Sequence, residues 1–487
     1  MALKDDIPAL IETHKNLSEH MAHNANLFDV FEGQLLPLLL QDLKKQLSEN
    51  SFEQIKHRMS PINIMNKVVS KLSTIYSRPP IRTILGGKKK DQKSLGELMR
   101  VLEFDTCMQD ANSFFNLFKA TWVEPYNDGG VPRLRTIPSD RFFVWSNDKV
   151  DPTRPTHFVK IMGIDSKTNK VTYHAYTKDE FLIFDSDKVV DTAAMAELDN
   201  DGVNEYKALP GVYINRSKHS LIPKIDTDML TMTKLIPILL SDANFALMYQ
   251  SFAIIYGIDV DDENLKMAPN AFWRFKTSAT ATGDVKPEIG VLKPEVDTDK
   301  VLSFTLAQIA LWLESKGIKP GAVGSLQVES AASGVAKIID EADTTEDRKK
   351  QVATFAPKDA QLLELIVNNM IPVWNGEPEF KLEASFSGKD IRISSEFPEQ
   401  KPILDEGAAA DTEIKKLNSR LTTRKRAIKK LNPDMTEEEV EKLMAEIEAE
   451  NPPVETDEEE GGGEDNPPPD GKPPKPKKKD DGKKPKA

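Results

Sequence analysis

The chain has 487 residues, of which 39% are hydrophobic and 29% charged, and its formal net charge is −13 at pH 7. This length and composition allow two or three domains with hydrophobic cores. The acidic balance argues against tight, static binding of nucleic acid, which needs clustered Lys and Arg. It suits a mildly acidic intracellular protein.

The first 121 residues are predicted to be mainly helical. Apolar residues keep a 3.6-residue spacing near the start of the chain and again between residues 62 and 76. They are Ile7, Leu10, Ile11, Ile64, Val68, Leu72 and Ile75. Pro79 and Pro80 are expected to end the second helix. Residues 86–94 are predicted to form an exposed turn, and residues 95–121 a further helix. Its core candidates are Phe114, Phe115 and Phe118.

Between residues 122 and 213 the pattern changes to alternating, β-branched and aromatic runs. These runs are RLRTIPS, RFFVWS, THFVKIMGI, KVTYHAYT and EFLIFDS. They predict antiparallel strands, with a turn at Asn127–Gly130.

Two helices separated by short strands are predicted next. The first covers Asp226–Gln250, and the strands fall within residues 254–289. The second begins at Asp297 or Thr298, both good N-cap residues, and stops at Gly317, which readily terminates a helix.

The apolar segment Leu235–Ile258 is long enough to span a membrane, but Asp242, Asn244 and Gln250 interrupt it. An Asp at mid-bilayer costs about 2.5–3.5 kcal/mol on insertion scales. We therefore expect no stable membrane insertion.

Residues 317–333 are rich in Gly and small side chains, which predicts a flexible loop. A strongly charged helix is predicted from about Ser333 to Lys350, resuming as far as Ile371. A short strand lies within residues 387–397.

Residues 412–450 are predicted to form two helices around Asn432 and Pro433. Residues 451–487 are rich in Pro, Gly and charge, and they are predicted to be disordered. The Lys block in this tail could contact nucleic acid, although such runs are more often simply solvated.

The sequence lacks the motifs of common enzymes. It contains no G-x-x-x-x-G-K-[ST] and no G-x-S-x-G. His20 and His23 could share a helix face for a metal, but no Cys or acidic partner is suitably spaced, so a polar surface is favoured. Asp261–Glu263 could bind a cation or form a surface turn. Cys107 is the only cysteine, which fits a reducing compartment. No catalytic residue, cofactor or metal site is predicted, and we expect the chain not to be an enzyme.

Four stretches, in order, resemble the portal proteins of tailed bacteriophages. The first is Pro61–Pro80, a helix ending in Tyr and Pro, and the second is the strand-rich run that exits through Ala208–Asn215. The third is Asp226–Gln250 followed by the IIYG at residues 254–257. The fourth is Ala332–Lys337, which contains a Ser-Gly-x-Ala pattern. Pro237 and the Pro/Lys-rich tail depart from the family pattern.

The resemblance implies an α+β, mainly helical, portal-like fold with an antiparallel wing sheet, a two-helix stem, a small α/β clip and a short helical C-terminal crown. The implied regions are a wing (1–225), first stem helix (226–251), clip (252–296), second stem helix (297–316), tunnel loop (317–333), C-terminal wing with the long helix (334–400), crown (401–450) and disordered tail (451–487).

The resemblance also implies a function. A portal protein forms a homo-oligomeric ring, usually of twelve subunits, at one capsid vertex of the virion, and it is assembled in the host cytoplasm. It serves genome packaging, head–tail connection and ejection of the double-stranded DNA that passes through its channel. Implied partners are the large terminase, the major capsid and scaffolding proteins, and a head–tail adaptor. Two alternatives stay open: a cytosolic α+β enzyme without a recognisable motif, and a membrane-associated protein.

Two sets of site residues follow from this resemblance. The set facing DNA in the tunnel loop is Lys316, Lys319, Ser325, Gln327, Ser330 and Ser333. The set at the motor-docking clip is Asp261, Asp262, Glu263 and Lys276.

Overall fold

The computed structural model describes residues 2–164, 169–198, 200–251, 254–258, 272–275, 288–292, 298–318, 334–376, 379–380, 382, 386–387, 390–398, 406–432, 435 and 437–450. The chain divides into two compact units, Met1–Pro402 and Ile403–Ala487.

Helices dominate the start of the first unit, as predicted. They are α1 (Leu3–Asn16), α2 (Ser18–Phe31), α3 (Leu35–Gln46), α4 (Glu49–Ile55), α5 (Met65–Leu72), α6 (Lys89–Val101) and α7 (Phe104–Phe118), with a 3₁₀ turn at Ile75–Ser77 and strand β1 at Ile81–Ile84. The apolar stripe of α1 is buried, as are Val68 and Ile75.

Two details of this region differ from prediction. Residues 86–94 are not all turn, because α6 begins at Lys89. The Asp91 carboxylate stabilises this start by accepting a hydrogen bond from the Lys88 amide at 3.2 Å. The helix predicted over 95–121 is two helices separated at Glu103, which has a positive φ of 48°.

The five predicted strands are present, and they form two antiparallel sheets together with two strands outside the five runs, Ala120–Asp128 and Val212–Asn215. The strands are β2 (Ala120–Asp128), β3 (Val131–Ile137), β4 (Phe142–Trp145), β5 (His157–Ile164), β6 (Val171–Tyr176), β7 (Phe181–Asp185) and β8 (Val212–Asn215), with helix α8 (Thr192–Glu197) before β8. The strand orders are β3-β2-β8 and β4-β5-β6-β7. Trp122 of one sheet stacks on Phe158 of the other with ring centroids 3.9 Å apart, so the two sheets share a buried aromatic core.

The predicted pair of helices with strands between them is confirmed. Helix α9 (Thr227–Ser251) is followed by β9 (Ile254–Ile258), β10 (Phe272–Phe275), β11 (Glu288–Leu292) and α10 (Thr298–Ser315). In the small sheet, β10 runs parallel to β9 and β11 antiparallel to it.

Helix α10 ends as the sequence predicts. Gly317 has a φ of +71°, which a glycine adopts without strain. Its amide bonds to the Glu314 carbonyl, and the Ile318 amide to the Leu313 carbonyl, each at 2.9 Å. Ile318 and Leu313 are both buried, completing a Schellman cap.

The long helix after residue 333 is α11 (Gly334–Leu365), which continues through a π-helical turn (Ile366–Met370) into α12 (Ile371–Trp374). The interruption predicted after Lys350 is therefore wrong. Strand β12 (Ile393–Glu396) pairs antiparallel with β1. The main core lies here, where Phe115, Phe355 and Trp374 are buried.

The second unit contains α13 (Glu406–Asn418), α14 (Arg424–Leu431) and α15 (Glu437–Glu450). Two helices were predicted for this region. The additional break follows Asn418, where Arg420 adopts a left-handed φ of 54°.

Candidate functional site

Helices α9 and α10 pack side by side and antiparallel, since the end of α10 meets the start of α9. The Lys316 ammonium lies 3.2 Å from Asp226 and 2.9 Å from Asp228. Apolar side chains of both helices join one hydrophobic cluster with residues of α2, α3, α5 and α7. The members from the pair are Met229, Leu230, Ile236, Ile309, Trp312 and Leu313.

The opposite face of α10 carries exposed apolar residues. Phe304 and Leu311 are 59% and 67% exposed, and Ala307 between them is also exposed. Residues at i, i+3 and i+7 lie on one helix face, so these three form a continuous stripe, which we call the α10 stripe. An exposed apolar stripe of this kind is a candidate interaction surface.

A cleft of about 830 Å³ opens where α10 ends. Its walls come from the loop after β8, the start of α9, the end of α10 and α11. It is lined by Lys119, Arg216, His219, Lys224, Lys316 and Lys350, together with Asp226, Glu346 and Asp347. This lining is charged, whereas the enzyme alternative predicts a deep apolar pocket.

Several cations of the cleft are paired with its acids. Lys119 lies 3.0 Å from Asp226, and Arg216 lies 3.4 Å from Asp347. Lys350 pairs with Glu346 at 2.9 Å on the exposed surface of α11.

The two carboxylates at the start of α9 have pKa values shifted in opposite directions. Burial acts to raise the pKa of Asp226, but hydrogen bonds from Asp228 and Lys119 and the charge of Lys316 outweigh it and hold that pKa well below its ordinary value. The pKa of Asp228 is raised, by burial and by its neighbour Asp226. Near neutral pH, the Lys316 ammonium therefore lies between two partly buried carboxyl groups. It links the end of α10 to the start of α9.

A Lys316→Met variant tests this junction. We expect it to lower the free energy of unfolding by about 1–2 kcal/mol at pH 7, because two partly buried charge-assisted hydrogen bonds are lost. The folded-state pKa of Asp226 lies below its unfolded value, so this stability is present above the unfolded pKa and is lost as pH falls through the acid range.

Urea unfolding of the Met variant and the unaltered chain at pH 7 and pH 2 measures both effects. Lys67→Met, at an exposed position of α5, is the control. An equal difference at both pH values would contradict the assignment to Asp226.

Helix α11, which follows the predicted tunnel loop, is anchored by a buried amide. The Gln351 side-chain oxygen accepts hydrogen bonds from Asn112 at 2.9 Å and Asn116 at 3.2 Å. Its nitrogen donates to the Leu72 carbonyl at 3.2 Å and to Asp347 at 2.7 Å. Because Asp347 lines the cleft, the cleft wall is fixed to α5 and α7.

Of the predicted tunnel-loop residues, Lys316 lies in the described part of the chain, at the cleft and in the ion pairs above. The others fall outside the described residues, namely Lys319, Ser325, Gln327, Ser330 and Ser333. The predicted motor-docking residues Asp261, Asp262, Glu263 and Lys276 also fall outside them.

Sequence reasoning missed Lys119, Arg216 and Lys350. They are distant along the chain and become neighbours only through folding, so no local pattern could reveal them.

The solvated polar surface predicted for His20 and His23 is not observed, because both residues are partly buried. The His23 ring nitrogen lies 3.1 Å from the Asp226 carbonyl oxygen. The pKa of His20 is lowered by burial and by His23. Within the described ranges, no group of three or more His, Cys, Asp or Glu is placed to hold a metal ion.

None of the helices described in the structure combines the length and apolarity that a membrane crossing requires. No protein-family model and no curated protein matches the sequence.

Among solved structures, the chain is similar to one from the neck of a native GTA particle computed with C12 symmetry. That chain is 11% identical, the match covers 76% of this chain and 90% of the other, and the TM-score is 0.37. A chain from the virion of a native gene transfer agent (GTA) particle is 13% identical over 75% of this chain and 89% of its own, with a TM-score of 0.32. A chain from the neck of an empty GTA particle computed with C6 symmetry has the same identity and coverage and a TM-score of 0.33.

Proposed function

We propose that this chain is a portal protein, which assembles into a ring at one capsid vertex and passes double-stranded DNA through the centre. The observation that carries the proposal is the α10 stripe. One side of α10 packs into the core of its own chain through Ile309, Trp312 and Leu313, while the stripe presents Phe304 and Leu311 to solvent.

When a helix is apolar on two sides and its own chain covers one of them, a second molecule can bury the other. In a closed ring each copy supplies a different surface to each of its two neighbours, so every stripe is covered by the next copy. An antiparallel helix pair with a small sheet between its helices is well suited to such packing, because its sides are long and regular.

The order of elements along the chain supports the proposed DNA channel. Residues 319–333 connect the capped end of α10 to α11, and the charged cleft lies at that end. Contacts of such a loop with DNA would be made to phosphates and would not depend on base sequence.

The remaining parts of the proposal concern partners. The large terminase would dock at the clip, residues 252–296, and the capsid, scaffolding and adaptor proteins would bind elsewhere on the ring. The acidic net charge of −13 would keep DNA from adhering to the channel during translocation.

The mass of the assembled particle tests the proposal. Twelve copies of a 54.5 kDa chain would have a mass of about 650 kDa in a closed ring. Size-exclusion chromatography with light scattering measures this mass, and electron microscopy is expected to show a central hole. A mass equal to one or two chains, with compact particles, would contradict the proposal.

A further inference from the structure

The second unit carries a concentrated block of positive charge. Residues 415–430 include eight Lys and Arg and no Asp or Glu. An even spread of the chain's 65 Lys and Arg over 487 residues would place about two there. We call this stretch the basic segment. It covers the end of α13, the following turn and nearly all of α14.

Half of these cations are satisfied within the unit. Glu413 pairs with Lys416 and Lys430, each at 2.9 Å. Lys425 pairs with Glu441 of α15 at 2.6 Å, and the Lys429 ammonium donates to the Met435 carbonyl at 2.7 Å.

The other four cations are exposed, and none has an ion pair with any residue that the structure describes. They are Lys415, Arg420, Arg424 and Arg426. A cleft of about 250 Å³ lies beside Arg426 and is lined by Thr423, Lys425, Arg426, Lys429 and Val440. The basic segment therefore combines free charge with a concave surface.

Helix stability does not account for this placement. Arg424, Lys425 and Arg426 occupy the first turn of α14, where the helix dipole favours anions and disfavours cations. The Thr423 hydroxyl caps the helix by accepting a hydrogen bond from the Arg426 amide at 3.3 Å. The cations thus destabilise their own helix. Such a placement is expected of residues that bind a negatively charged partner.

The composition of the unit indicates the kind of anion. Residues 406–450 contain no Phe, Tyr or Trp, so the unit has no aromatic platform on which single-stranded bases could stack. The three exposed arginines can each bind a phosphate through two parallel hydrogen bonds. We propose that the basic segment binds the phosphate backbone of double-stranded DNA without regard to base sequence.

This contact would be separate from the predicted tunnel loop. The proposal for the basic segment rests on the proposed function in one respect, namely that the duplex is the packaged DNA. Binding to free duplex and assembly of the ring are measured independently, so failure of one is distinguishable from failure of the other.

The test uses the full chain and a fluorescent 30-base-pair duplex of random sequence, with anisotropy measured between 50 and 300 mM salt. In the Arg420→Glu, Arg424→Glu, Arg426→Glu variant, we expect affinity at 100 mM salt to fall at least tenfold. The slope of log affinity against log salt should become smaller by about 2.7, which corresponds to three lost phosphate contacts.

The matched control reverses three exposed lysines of the first unit, Lys15, Lys149 and Lys178. It changes net charge by the same amount, and we expect less than a threefold loss of affinity. Glutamate in the first turn of α14 agrees with the helix dipole, so helical circular dichroism should be retained in the triple Arg variant.

Equal losses of affinity in the two triple variants would overturn the proposal. If the Arg variant instead lowered particle mass while DNA affinity stayed unchanged, the partner of the basic segment would be the acidic α15 of a second copy, and the proposal would be wrong. Normal DNA binding by a chain that never forms rings would leave this inference standing and contradict the portal proposal alone.

Discussion

An Asp359→Ala variant is expected to lose about 3–5 kcal/mol of its free energy of unfolding, because it leaves a buried guanidinium without its main partner. Asp359 is fully buried. Its two oxygens accept hydrogen bonds from Arg82 Nε and Nη2, both at 2.8 Å. The Tyr76 hydroxyl donates to it at 2.9 Å and the Ser395 hydroxyl at 2.6 Å.

This cluster joins α11 to four other elements. Arg82 belongs to β1, Tyr76 to the 3₁₀ turn after α5, and Ser395 to β12. Arg82 also lies 2.8 Å from Asp105 of α7. Loss of Asp359 would therefore weaken the packing of α11 against several elements of the first unit and not against one neighbour alone.

Urea unfolding followed by circular dichroism measures the loss. The control is Glu346→Gln, which removes a charge from an exposed pair on the same helix and should change stability little. Replacing both members of the buried pair, in Arg82→Met with Asp359→Ala, should recover part of the lost stability, because no guanidinium is then left buried without its main partner. Equal stability of the Asp359→Ala and Glu346→Gln proteins would contradict this account.

Replacing Phe304 and Leu311 together by Glu is expected to abolish the proposed ring, so that the particle mass is that of a single 54.5 kDa chain. Both side chains are mostly exposed in one chain, so the substitution should leave the fold intact. In a ring they would be buried against the next copy, and burying two unpaired carboxylates there is strongly unfavourable.

The matched control replaces Val150 and Val189 by Glu. These apolar residues are 94% and 58% exposed and belong to neither helix of the pair. We expect that variant to keep the mass of the ring. Light scattering on both proteins, with circular dichroism to confirm folding, decides the outcome. A Phe304, Leu311 double variant that still forms rings would show that the α10 stripe is not the interface.

Much of the fold follows from local patterns. Alternation over residues 131–185 predicts five strands, and all five are present. Gly317 ends α10 because its positive φ suits a glycine. These predictions succeed since each depends on a few adjacent residues.

The misses depend on contacts between distant residues. The start of α6 is held by Asp91, whose carboxylate also accepts hydrogen bonds from Ser387, nearly 300 positions later. Helix α11 continues through Pro357 because its neighbouring turns are packed, with Phe355 and Leu362 buried. The cleft was missed for the same reason, since its cations come from separate elements.

The Schellman cap at Gly317 and Ile318 has an evolutionary consequence. Residues 319–333 link this buried, hydrogen-bonded cap to α11 in the chain. The position of α11 is fixed independently by the contacts of Gln351 and Asp359. In such an arrangement, doubling the number of linking residues costs only about 0.6 kcal/mol in closure entropy. The length of this insertion could therefore change in evolution at little cost to the stability of the surrounding framework.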